Sequence, residues 1–295
     1  SYGNAGLTVA SGFTNNGAIE LTDVGSSYGA TLTVTAGTLT NAAGGTFTAL
    51  AGAGGGRTLA AALDNQGLVT ANGPLTIGAT SAAHTNSGTL DATGANLTLN
   101  QGGTGPSFTN TGTVTIGAGR TWTISGGTFT QQTGAVLNGG GALTVVSATA
   151  NFNTAFTLGA LTLNSATANF ATNLSTAALA LTLSSATVNG PGTLTNAPGQ
   201  TLALYYSTIT TAVTNQGTVL VSTPGNVFSG AFTAAAGALL HLEVNGSYGG
   251  AGLTVASGFT NNGAIELTDV GGGYGATLTV TAGTLTNAAG GTFTA

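Results

Sequence analysis

The chain has 295 residues, of which only 3% are charged and 51 are glycine, and its net charge of −5 comes from seven acids against two arginines. Without Lys it has no cationic cluster to bind nucleic-acid phosphate or an anionic membrane surface, and without Cys it has no disulfide framework. Its 41% apolar content still exceeds what a disordered polar tract carries, so a core can form.

Residues 1–49 recur as residues 247–295, an offset of 246. Three positions differ: Asn4 becomes Gly250, Ser26 becomes Gly272 and Ser27 becomes Gly273. This reads as one full long repeat, 1–246, followed without a linker by the start of the next, 247–295. Ser1 lies inside a repeat, so the expectation is a window on a longer tandem array.

A shorter period runs through the long one. An apolar residue, a Thr and an Asn recur, usually just before a Gly. In chain order the signals are Phe13-Thr14-Asn15, Leu39-Thr40-Asn41, Leu63-Asp64-Asn65, His84-Thr85-Asn86, Phe108-Thr109-Asn110 and Phe129-Thr130-Gln131. Ala171-Thr172-Asn173, Leu194-Thr195-Asn196, Val213-Thr214-Asn215, Phe232-Thr233-Ala234 and Phe259-Thr260-Asn261 follow. Spacings are 19 to 27 residues, except for a gap of 42 between Gln131 and Asn173. That gap fits two turns of 21, with the missing member near Phe152 or Phe156. The 246-residue repeat then holds 11 turns of about 22 residues.

Between these signals lie strands. Leu32-Thr33-Val34-Thr35, Leu97-Thr98-Leu99, Val114-Thr115-Ile116 and Leu161-Thr162-Leu163 alternate apolar residues with Thr, the period-2 pattern of a half-buried strand. Gly and Asn-Gly pairs are expected to supply positive φ at the corners. Two structural ladders follow. Asn15, Asn41, Asn65, Asn86, Asn110, Asn196, Asn215 and Asn261 form an amide ladder. Ile19, Val69, Leu90, Val114 and Val219 form an apolar one, joined by Phe47 and Leu202 after short insertions. No 3.6-residue period persists between the glycines. The predicted fold is all-β, a right-handed parallel β-helix, or β-solenoid.

The runs FTNNGAIEL, LTNAAGGTFTA, HTNSGTLDATGANLTLN and FTNTGTVTIGAG resemble the strand repeats of large bacterial surface exoproteins. These are the filamentous-hemagglutinin-like secreted adhesins and the autotransporter passenger domains. The resemblance implies export, a β-helical shaft and a role in adhesion or matrix. An outer-membrane barrel also alternates, but its strands are longer and carry aromatic girdles, whereas aromatics are 6% here.

β-Helices also house polysaccharide lyases and hydrolases, so the acids need placing. Glu20 and Asp91 are expected in one outward column, three rungs apart, too far for glycosidase chemistry. Glu243 and Asp269 are expected in one column on neighbouring rungs near His241 and Glu266. This is a weak candidate acidic patch, read first as a solvated edge. His84 fills a slot otherwise held by Phe or Leu and is read as a packed ladder residue. Gly54-Gly55-Gly56-Arg57 lacks the Lys and Ser/Thr of a phosphate loop and is read as a turn. Trp122, close to Arg120, is taken as an exposed strand aromatic, a weak candidate for stacking on a sugar. No catalytic, cofactor-binding or metal site is assigned, and no cofactor is expected.

The functional expectation is a non-enzymatic shaft or fibre segment of a secreted or cell-surface exoprotein. Its partners would be further repeats, or copies of the chain end to end, and a surface glycan or receptor, with neither nucleic acid nor membrane insertion. The alternative is an ordered-surface binder, of ice or polysaccharide, working through Thr rows such as Thr31/Thr33/Thr35 and Thr113/Thr115. Variable turn lengths are expected to break the registry of those rows. A polysaccharide-degrading β-helix enzyme comes last.

Overall fold

The computed structural model describes residues 3–23, 25, 28–271 and 273–295, so Ser26, Ser27 and Gly272 lie outside the described residues. Among the described residues there is no helix, and the strands pair in parallel at a turn spacing of about 22 residues. The fold is a parallel β-solenoid, which sets it apart from the antiparallel strands of a transmembrane barrel. Two compact units are present, Ser1–Ala160 and Leu161–Ala295, each built from three rows of strands.

In the first unit, one row climbs from Ala5–Val9 through residues 30–34 and 57–60 to Leu75–Ile77, Leu97–Asn100, Thr121–Ser125 and Ala142–Val146. The second climbs from Phe13–Asn15 to Thr149–Phe152 and carries the Phe-Thr-Asn signals. The third is a six-stranded sheet from Ala18–Leu21 to Val136–Asn138. Register explains the alternation of residues. Leu32, Leu59, Ile77, Leu99, Ile124 and Val145 stack one above another and are buried, while the Thr between them face outward. Each buried side chain of this size contributes roughly 1.5–3 kcal/mol, so a repeated column is the main source of cohesion. Gln131 is followed in register by Phe152, which fills the slot missing from the sequence series.

Trp122 does not face solvent. It stands in an inward column between Leu97 and Leu143, is 0% exposed, and meets Phe108 and Phe129 edge-on at 5.4 and 5.3 Å. The cause is strand parity, because Trp122 is in phase with buried Ile124. His84 is 1% exposed in the row of Phe108 and Phe129, and its Nδ1 accepts a hydrogen bond from the Leu63 N–H at 3.2 Å.

The second unit repeats the plan. One row includes Ala180–Ser184, Thr201–Tyr205, Thr218–Val221, Leu239–Val244, Ala264–Asp269 and Thr292–Thr294. Another runs from Thr167–Phe170 to Asn226–Phe228, Ala251–Val255 and Ala276–Val280. The third is a six-stranded sheet from Leu174–Ser175 to Leu285–Asn287.

The Asn-x-Gly corners obey a rule other than the one expected. Gly67, Gly88 and Gly112 do not have positive φ. A Cβ at Gly67 would lie 2.3 Å from the Gly45 carbonyl oxygen, at Gly88 2.1 Å from that of Gly67, and at Gly112 2.2 Å from that of Gly88. Glycine is needed here for the close axial approach of successive backbones, not for a left-handed turn. The left-handed residues lie at other corners: Gly139 and Gly190, in the pairs Asn138-Gly139 and Asn189-Gly190, have positive φ as expected, and Ser147, Ser165, Ser185 and Tyr206 take φ of 48–50°.

Candidate functional site

The amide ladder is the most developed polar assembly in the first unit. Asn15, Asn41, Asn65, Asn86 and Asn110 are 0–7% exposed. Asn15 donates through Nδ2 to Oδ1 of Asn41, Asn41 to Asn65, Asn65 to Asn86 and Asn86 to Asn110, at 2.7–2.8 Å. Asn110 continues to Gln131 Oε1 at 2.8 Å. The same Nδ2 groups also donate to strand carbonyls, among them Thr46, Leu68, Thr89 and Thr113, at 3.0–3.1 Å. All the amides point one way, an arrangement in which each hydrogen bond polarises the next. Beside them Ile19, Phe47, Val69, Leu90 and Val114 stand in register as the apolar ladder.

In the second unit the ladder is shorter. Thr176 donates through Oγ1 to Asn196 Oδ1 at 3.0 Å, and Asn196 donates to Asn215 at 2.9 Å. Ala234 interrupts the series, and Asn261 then donates to Asn287 at 2.8 Å. Asn173 is not a member. Thr176 takes its place, because Leu174 and Ser175 are the residues in register with Leu194 and Thr195. Val219 stacks between Leu202 and Leu240, in the row that also holds His241.

The acidic patch differs by one residue from the expected register. His241 lies beside Glu266, Glu243 beside Thr268, and Asp269 beside the buried Val244. Glu243 and Asp269 therefore do not share a column. His241 Nε2 is 2.8 Å from Thr268 Oγ1 and 4.0 Å from Glu243 Oε2. Among the described residues no group of three or more His, Cys, Asp or Glu is arranged to hold a metal ion. Glu20, Thr48, Thr70 and Asp91 do form one outward column, which puts the two acids three rungs apart.

An ion pair absent from the sequence reading lies in the first unit. Arg57 is not part of a turn but the first residue of the strand Arg57–Asn65. It occupies an inward column with Ala30 and Leu75 and is 2% exposed. Its Nη2 lies 2.9 Å from Asp23 Oδ1, and Nη1 donates to the Gly55 carbonyl. The Asp23 carboxylate also accepts the N–H groups of Ala53 and Gly55 at 2.8 and 2.6 Å. The Gly55 hydrogen bond, with help from Ala53 and the Arg57 charge, holds its pKa below the usual carboxylate value. Gly52 makes room for the pair, since a Cβ there would overlap Asp23 and Arg57. The parity of Arg57 with Leu59 and Leu63 was the available signal; its partner 34 residues away gave none.

The outward Thr are more regular than expected. Thr31, Thr58, Thr76, Thr98, Thr123 and Thr144 form an unbroken axial column despite unequal turn lengths. Extra residues are absorbed at corners, so strand register survives. The neighbouring outward column is mixed, with Thr33 and Ala60 low in the row and Asn100, Ser125 and Val146 above them.

No family model, no curated protein and no solved structure matches this chain.

Proposed function

We propose that the chain is a structural shaft or fibre segment of a secreted or cell-surface exoprotein, serving adhesion or an extracellular matrix and carrying no catalytic centre. The observation that supports this reading is the one-way amide ladder from Asn15 to Gln131. It ties each turn to the next inside the coil, where a hydrogen bond adds about 1 kcal/mol beyond backbone pairing. Cohesion along the axis then needs no surface charge, in keeping with a chain that is 3% charged. Its partners in this reading are further repeats or copies of itself, with a surface glycan or receptor as the outside ligand.

Fibre diffraction from oriented protein tests the shaft. The expected pattern has a strong axial reflection near 4.8 Å, the rung spacing. Compact particles that never orient, with no such reflection, would sink the reading. Incubation with pectin, alginate and glucans should release no product, and depolymerisation lost in Glu243→Gln would reverse the non-enzymatic assignment.

A second reading draws support from the Thr58–Thr76–Thr98–Thr123–Thr144 column. One regular column beside a mixed one suits an extended polymer lying along the axis better than a two-dimensional lattice such as ice. Co-sedimentation with insoluble polysaccharide, lost in Thr98→Lys/Thr123→Lys, is its test; equal pelleting of that variant would remove it.

A further inference from the structure

One corner of the second unit carries aromatic rings outside the core. Thr201–Tyr205 is followed by Tyr206, and Leu239–Val244 is followed, after Asn245-Gly246-Ser247, by Tyr248. Both strands belong to one row, two turns apart, with Thr218–Val221 between them. Tyr206 is 50% and Tyr248 47% exposed, and the rings of Tyr205 and Tyr248 meet at 5.7 Å, tilted by 58°. At this corner the intervening turn buries Ser222 and Thr223 and exposes the compact Pro224 and Gly225, which leaves room for the rings to meet across it. The row continues to Ala180–Ser184 on one side and Ala264–Asp269 on the other, so the exposure belongs to the corner itself.

Tyr206 also holds a backbone conformation that suits it poorly. Ser165, Ser185 and Tyr206 follow successive strands of this row, all at φ of 49–50°. The Ser165 N–H donates to the Ser184 carbonyl and the Ser185 N–H to the Tyr205 carbonyl, while the Tyr206 N–H donates to Thr223 Oγ1 at 2.8 Å. A left-handed backbone is unfavourable for a bulky side chain. The two preceding turns meet the same need with Ser, so the Tyr ring is not what the corner requires to fold.

We propose that Tyr205, Tyr206 and Tyr248 form a stacking platform for an uncharged oligo- or polysaccharide. The proposal rests on the surface-shaft reading and places its glycan partner at this corner. The electron-rich face of each ring attracts the polarised C–H face of a pyranose, and strain retained at Tyr206 is accounted for by that use. Charge sets the ligand class. Residues 161–295 contain no Lys or Arg, while Glu243, Glu266 and Asp269 lie in the strands on the Tyr248 side. An anionic glycan would meet these acids with no counter-charge, so neutral hexoses or N-acetylhexosamines are favoured. The platform is shaped in advance. The Tyr248 N–H donates to the Asn245 carbonyl at 3.3 Å and the Ser247 N–H to Asn245 Oδ1 at 3.2 Å, closing the turn that presents Tyr248. Tyr206 and Tyr248 belong to turns two rungs apart, roughly 10 Å along the axis, so more than one sugar is engaged.

Calorimetric titration of the full chain with cellohexaose, hexaacetylchitohexaose and an alginate hexamer tests the platform. A neutral hexamer should bind with a Kd of roughly millimolar or tighter, and alginate at least about tenfold more weakly. Tyr206→Ser/Tyr248→Ser should weaken the neutral sugar about tenfold or more, whereas Tyr206→Phe/Tyr248→Phe, which keeps both ring faces, should stay within about threefold. The Ser pair should hold its urea midpoint; should it fall, Tyr206→Ser alone, a residue this corner already accepts at Ser165 and Ser185, decides. Failure of both neutral hexamers to bind overturns the proposal, as does equal binding of alginate or binding indifferent to the Ser variants. Loss of binding in Thr98→Lys/Thr123→Lys instead would put the sugar on the Thr column and also overturn it. A concentration-dependent dimer abolished by the Ser pair, with no sugar bound, would make the corner a protein contact and reject the platform. The axial reflection near 4.8 Å reports on the shaft separately: reflection without sugar binding rejects the platform alone, and sugar binding without reflection rejects the shaft alone.

Discussion

Asn65 donates to Asn86 Oδ1 at 2.7 Å while accepting from Asn41 at 2.8 Å, so one buried amide joins three turns. Asn65→Ala strands the Asn86 Oδ1 and one N–H of the Asn41 amide, whose other N–H keeps the Leu68 carbonyl. Each buried group stranded in this way costs about 1–3 kcal/mol. The urea midpoint should fall clearly more for Asn65→Ala than for Asn15→Ala, because Asn15 has a ladder partner on one side alone among the described residues. Equal shifts would mean that the ladder is not cooperative.

The Asp23–Arg57 pair makes a prediction with a defined sign. The Asp23 pKa is lowered in the folded protein, chiefly by the Gly55 N–H. Its stabilising contribution is therefore present above the unfolded value of 3.8 and lost as pH falls through the lower folded value. Asp23→Asn should remove that acid-side loss and leave Arg57 buried without a counter-charge. Asp23→Asn/Arg57→Leu should recover stability relative to Asp23→Asn, since Arg57 sits in a column with Leu75. Thermal melts of the three variants at neutral pH give the order.

His84 acts over a different window. Burial lowers its pKa from 6.5 to about 4, so the folded state keeps it neutral while the unfolded chain takes up a proton. Stability should fall as pH drops from about 6.5 to about 4, by up to roughly 3 kcal/mol. His84→Phe, matching Phe108 and Phe129 in the same row, should flatten that part of the profile. The variant loses the acceptor for the Leu63 N–H, which costs about 1 kcal/mol at neutral pH.

Trp122 is the single Trp and is fully buried among Phe rings. Its fluorescence should be blue-shifted and nearly insensitive to acrylamide until the first unit unfolds. Addition of soluble oligosaccharides should leave the spectrum unchanged.

The rows and their order were legible because inward Leu and outward Thr alternate and the Phe-Thr-Asn signal recurs once per turn. Spacing places the missing member near Phe152 or Phe156, and strand register selects Phe152. What escaped was parity at unusual residues and register across turns of unequal length. Read by chemical type, Trp122 is an exposed strand aromatic and Arg57 part of a turn, although each is in phase with buried neighbours. Glu243 and Asp269 were matched at an offset of 26, whereas the strands pair Glu243 with Thr268, an offset of 25. Thr176 was hidden because a hydroxyl there takes the ladder position below Asn196, while the recurring signal of that turn ends at Asn173.

The burial of Arg57 also bears on how this protein meets proteases. An enzyme that cuts after Lys or Arg finds no Lys in the chain, and Arg57 is 2% exposed inside its column. Arg120, on an exposed corner, is the one open site. Trypsin should therefore nick the native fold once, into residues 1–120 and 121–295, and release almost nothing small enough to sequence. In the surface role proposed above, each such segment would offer trypsin-like enzymes one open bond, and a tryptic survey would recover few peptides from it.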